Sequence, residues 1–137
     1  MIEEQSNIHH ARYKAMSIMK TFRAEKLAFQ ILKISPFLVF LGSVTSPEFL
    51  WVNDKVLEYL GWEFDEIVNI NWLSLIHPDD RQKSLDAFLI FQKTGKIGFE
   101  GEQFTNRYRT KKGLYKEIIW NSVMESKEEM YMIFGNI

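Results

Sequence analysis

The sequence predicts an α+β domain: a long N-terminal amphipathic helix, two short strands, several short helices and three further strands. Three observations carry that prediction. Residues 3–33 lack glycine and proline and repeat apolar residues at helical spacing. From Phe37 onward the chain breaks into short β-rich runs separated by turn residues. The last third alternates in polarity as paired strands do.

In the helix, Ile8, Ala11, Ala15, Ile18, Phe22, Phe29 and Leu32 recur at alternating steps of three and four, and the same positions fit a heptad seam interrupted only by Glu25. Two readings follow. The helix either lies on its own domain, or pairs with its twin in a homodimer whose interface is Ile8, Ala15, Ile18, Phe22, Phe29 and Leu32. Ser35 and Pro36 end it, because the residue before a proline is driven out of the α region. This sets residues 1–34 apart as a helical segment and leaves residues 35–137 as the folded domain.

"FLVFLG" and "FLWVN", separated by "SVTSPE", read as a hairpin. Asn53 is placed to cap a short helix that buries Val56, Leu57 and Leu60 and stops at Gly61. "FDEIVNINWLSLI" reads as short turns carrying Ile67, Trp72, Leu73 and Ile76 inward. "RQKSLDAFLIFQKTG" is a helix with Leu85, Phe88, Leu89 and Phe91 on its apolar side and Gly95 at its end. "GEQFTNRYRT", "GLYKEIIWNSVM" and "EEMYMIFGNI" are strands joined at "KKG" and "ESKE". In the first of them Phe104, Asn106, Tyr108 and Thr110 share one face, and Thr105, Arg107 and Arg109 the other.

Composition narrows the function. At 137 residues the chain holds one core, and a net charge of -1 gives no bulk attraction to nucleic acid or an anionic membrane. Cysteine is absent, which excludes disulfides, zinc–thiolate sites and thiol nucleophiles. The longest apolar run, "PFLVFLG", is far short of a membrane span, and "MIEEQSNIHH" lacks the features of a signal peptide. The expected location is the cytoplasm.

His77, Asp79 and Asp80 in "LIHPDD" are the residues nearest to a catalytic or metal-binding group. Pro78 suits the first helical position, and the two aspartates suit the positive end of the helix dipole, so the stretch reads as a helix start. No metal motif such as HExxH and no nucleophile elbow accompanies it. His9 and His10, adjacent on a helix, point in different directions. A metal-dependent hydrolase built on His77, Asp79 and Asp80 is the weakest reading, and no catalytic or metal residue is assigned.

From about Ser35 to the end, the chain resembles a PAS domain. The resemblance rests on "WVNDKVLEYLGWEFDEI", on "LIHPDD" followed by a helix, and on "RYRTKKGLYKEIIWNSV", in that order. It implies a five-stranded antiparallel sheet with short helices on one face and, where a ligand is bound, a pocket between them. It also implies a non-enzymatic sensor that dimerises and relays a signal to an output domain, such as that of a histidine kinase or a cyclic-dinucleotide enzyme. Many members end on an Asp-Ile-Thr triplet coupled to that output. Asn136 and Ile137 stand at its first two places, so the chain is expected to stop just before the output region.

The flavin adduct photochemistry of LOV members needs a cysteine, which is missing. Haem-binding members supply an axial histidine from the helix after "HPDD", whereas Arg81 to Lys93 contain none, leaving only His77 with a different geometry. The cofactor is therefore unassigned. Candidate pocket residues are Trp51, Tyr59, Trp72, Ile76, Phe88, Tyr108, Trp120 and Met132, which join apolar area to a few polar tips. The same residues serve equally to fill an ordinary core. The alternative function is accordingly a structural homodimerisation domain without a ligand.

Overall fold

A computed structural model describes residues 2–95, 103–125 and 129–137, with side chains for 10–13, 16, 23–95, 103–121 and 129–137. It divides into two units, Met1–Leu32 and Lys33–Ile137.

The first unit is helical. Helix α1 covers Ile2–Ile34 and ends where Ser35 Oγ accepts the Phe37 N–H at 3.1 Å, closing a turn around Pro36. Its described part carries apolar residues on more than one side. Phe29 is exposed, and so are Leu27, Ile31 and Ile34, which follow one another at i, i+4 and i+7.

The second unit is an antiparallel sheet with helices across one face. Strands β1 (Leu38–Ser43), β2 (Trp51–Val52), β3 (Phe104–Arg109), β4 (Tyr115–Glu125) and β5 (Met130–Asn136) lie in the order β2-β1-β5-β4-β3. Every pairing is antiparallel, and β1 pairs with both its hairpin partner β2 and the last strand β5. The chain passes from one edge strand to the other through α2 (Asp54–Leu60), α3 (Phe64–Ile67), α4 (Trp72–Leu75), a 3-10 turn at Pro78–Asp80 and α5 (Arg81–Thr94).

The register decides which side chains meet the helices. Phe40 stands opposite Val52 on one side and Ile133 on the other, while its neighbour Leu41 stands opposite Trp51 and Met132. Successive residues of a strand face opposite ways, so Phe40, Val52 and Ile133 face the helical layer and Leu41, Trp51 and Met132 the other side. On the helical side Leu38, Phe40, Val52, Val56, Leu60, Ile67, Leu75 and Ile118 are almost wholly buried and form one core with Tyr108 and Trp120.

The helix ends follow the sequence signals. Asn53 Oδ1 accepts the Val56 N–H at 3.3 Å, and Gly61 adopts a left-handed φ of 80° as its N–H bonds the Leu57 carbonyl. Helix α5 differs from its predicted apolar face: Ser84, Ala87 and Phe91 are buried, Phe88 is half-buried and Leu89 is 48% exposed. Positions 84, 87, 88 and 91 form the cleaner helical stripe, and its small members let the helix approach the sheet closely.

Candidate functional site

The helical layer and the sheet do not close completely. A cavity of about 60 Å³ remains between α4, α5 and the helical face of the sheet. Helices supply Trp72, Ala87, Phe88 and Phe91 to its wall, together with Ser84 at the start of α5. The sheet supplies Phe104, Asn106, Tyr108, Trp120, Tyr131 and Ile133, and the connecting segments Phe49 and Ile76. Its rings touch edge to face or tilted. Phe88 and Phe91 each lie 5.7 Å from Tyr131, Trp72 lies 5.4 Å from Phe88, and Tyr108 lies 5.8 Å from Trp120.

Of the residues expected to line a pocket, Trp72, Ile76, Phe88, Tyr108 and Trp120 come together here. Trp51 and Met132 do not line it, because their common register with Leu41 puts them on the opposite face of the sheet. Tyr59 is also elsewhere. Its hydroxyl donates to the Glu117 carbonyl at 2.7 Å, and Lys116 Nζ sits 4.7 Å from its ring centre, fixing it over the β4 edge of α2. In the proposed dimer seam, Phe29 is exposed and Leu32 half-buried, while the side chains of Ile8, Ala15, Ile18 and Phe22 lie outside the described residues.

The polar groups in the wall fall into two sets. Asn106 accepts from Trp120 Nε1 at 2.7 Å and donates to Ser84 Oγ at 3.0 Å, a buried network joining β3, β4 and α5. Asn106 is absent from the expected pocket residues, although its place on the same face of β3 as Phe104 and Tyr108 was a signal that could have found it. Tyr108 and Tyr131 are 2% and 3% exposed. Among the described residues, neither phenol hydroxyl has a hydrogen-bond partner. Burial raises both phenol pKa values, that of Tyr131 to about 12 and that of Tyr108 further still, with the neighbouring Tyr131 adding to the effect. Both phenols are therefore protonated at neutral pH.

Tyr131 reaches its place because β1 leaves room for it. A Cβ at Gly42 would fall 2.5 Å from Tyr131 Cζ and Oη, so the ring lies across the glycine. Sequence reasoning chose Met132 and missed Tyr131, its neighbour, since alternation alone does not say which of two adjacent apolar residues faces the core.

The "HPDD" stretch is a junction. His77 Nδ1 accepts the Asp79 N–H at 3.1 Å as an N-cap, the His77 N–H donates to the Arg107 carbonyl, and the imidazole stands edge-on to Tyr115 at 4.4 Å. Pro78 opens the turn as expected. Asp80 has a partner that sequence spacing did not disclose. Its Oδ2 accepts from both the backbone N–H and Nε of Arg107, and its Oδ1 from Nη2, each at 2.9 Å. This forked contact is the main reason the Asp80 carboxyl is held down to about 2, against burial pulling the other way. Among the described residues no group of three or more His, Asp or Glu is placed to hold a metal ion.

A five-stranded antiparallel sheet with a small aromatic cavity under short helices defines an α+β domain with an interior pocket. The family model described as the PAS fold matches residues 49–133, well over half of the chain, and the chain belongs to that family. No curated protein matches it. Among solved structures it is similar to a domain of the sensory box sensor histidine kinase/response regulator from Geobacter sulfurreducens, at 12% identity and a TM-score of 0.65, covering 85% of this chain and 96% of that one. It is also similar to a PAS domain from a two-component sensor histidine kinase, at 18% identity and a TM-score of 0.62, covering 85% and 97%. A third likeness is to the PAS domain of the Cronobacter turicensis RpfR quorum-sensing receptor in complex with C12:0, at 15% identity and a TM-score of 0.58, covering 74% and 93%.

Proposed function

We propose that this PAS domain is the sensory module of a cytoplasmic bacterial signal-transduction protein. A small molecule enters the cavity beneath α4 and α5, and the resulting change passes to an output domain such as that of a histidine kinase or a cyclic-dinucleotide enzyme. The module works as a homodimer through α1, and its role is regulatory rather than catalytic. The observation that carries this reading is the aromatic cavity itself, walled by both layers of the fold and supplied with polar tips. Membership in the PAS family and likeness to domains of sensor kinases support it. A ligand acts only through different affinities for two arrangements of sheet and helices, and a cavity shared by both layers gives it contact with each.

Native mass spectrometry of the freshly purified chain, paired with thermal melting, tests the proposal. We expect a dimer that retains non-covalent mass, or whose melting temperature rises when the retained compound is added back. The small volume of the cavity favours a second reading, a homodimerisation domain whose interior holds only water. A dimer that carries no added mass and does not shift with any compound from a cell extract decides for that reading.

A further inference from the structure

We infer that the cavity selects a neutral, largely apolar ligand carrying a hydrogen-bond acceptor, which the hydroxyls of Tyr108 and Tyr131 hold. This deepens the proposed sensory function and rests on it.

The wall decides the charge of the ligand. None of its described residues is charged, and its other polar side chains, Ser84 and Asn106, are turned to each other and to Trp120. An anion here would meet no cation, and a cation no carboxylate, so either would lose its hydration without a partner. The polar groups left over are the phenols. Both line the cavity, both are more than nine-tenths buried, and no described group bonds either hydroxyl. No fully buried side-chain polar atom is left unpaired among the described residues, so each hydroxyl keeps accessible surface, and a ligand that covers it must bring an acceptor or leave the donor unpaired at a cost. A carbonyl, ether or alcohol oxygen on an apolar body satisfies it. The volume of about 60 Å³ holds a few waters, which such a ligand displaces as it widens the space. This chemistry differs from that of a fatty-acid carboxylate.

The test uses three probes of matched size, 2-pentanone, n-pentane and butyrate, titrated into the full chain at pH 7 and followed by amide NMR. Xenon is added separately as a probe of space alone. We expect 2-pentanone to shift amides around Tyr108, Ala87 and Tyr131 saturably, about tenfold more tightly than n-pentane, with butyrate inert. Replacing both phenols, Tyr108→Phe with Tyr131→Phe, should remove the preference for the ketone and leave n-pentane and xenon binding in place. Butyrate binding as well as the ketone, or a ketone preference that survives both substitutions, overturns the inference. Xenon entering without any ketone preference also overturns it while the sensory reading stands. Failure of xenon and all three probes removes the ligand cavity, and the sensory reading based on it, together.

Discussion

Asp80 contributes stability that depends on pH. Its carboxyl titrates at about 2 in the folded chain against an ordinary 3.8, so the contribution is complete above about pH 5 and is lost as pH falls through 4 toward 2. Arg107 is 41% exposed and partly screened by water, which limits the contribution to about 1–2 kcal/mol. Urea unfolding of Asp80→Asn should therefore fall below the parent at pH 7 by that amount, and the gap should narrow to about a third of its size by pH 2.5. Asn53 is a second such residue. It is fully buried, accepts from the Val39 and Val56 N–H groups, and donates to the Phe37 carbonyl, tying β1 to the start of α2. Asn53→Ala strands those groups and should cost about 2–4 kcal/mol in the same assay. The sequence disclosed Asn53 as a cap through its place before Val56, Leu57 and Leu60. It disclosed neither the tie to β1 nor the Asp80–Arg107 pair, because contacts 14 and 27 residues apart leave no periodic trace.

At the scale of elements, what the sequence made legible was local. The hairpin of β1 and β2, the capped α2 and the three final strands follow from turn residues and alternation, and each is present. Facing was harder. Leu89 was assigned inward on α5 and Met132 into the pocket, and each lost its place to a neighbour, Ala87 and Tyr131, that fits the opposing element better. Residues 84 and 87 are small, and hydrophobicity alone gives them little weight although close packing needs them. The crossing of Tyr131 over Gly42 is testable as a contact between two elements. Gly42→Ala sets a methyl against a buried ring and should lower stability by about 1–3 kcal/mol in thermal melts. Most of that loss should vanish when Tyr131 is already alanine, since the two changes share one contact.

For the molecule as a whole, the two units raise separate expectations. If α1 pairs with its twin, Phe22→Asp with Phe29→Asp should convert dimer to monomer in analytical ultracentrifugation without unfolding the sheet domain, read by near-UV circular dichroism. Within the domain, the polar ties between layers crowd toward β3 and β4. Trp62 Nε1 donates to the Arg109 carbonyl, Tyr59 to that of Glu117, Lys111 pairs with Glu66, Arg107 with Asp80, and Asn106 with Ser84. Beyond Ser84, Phe88 and Phe91 set their rings against Tyr131 of the sheet. Helix α5 thus meets the sheet through a directional bond at its first turn and through greasy bearings farther along. Packing that rests on rings tolerates small shifts better than a directional bond does, so amides of α5 around Phe88 should exchange with deuterium before those of α2 around Val56.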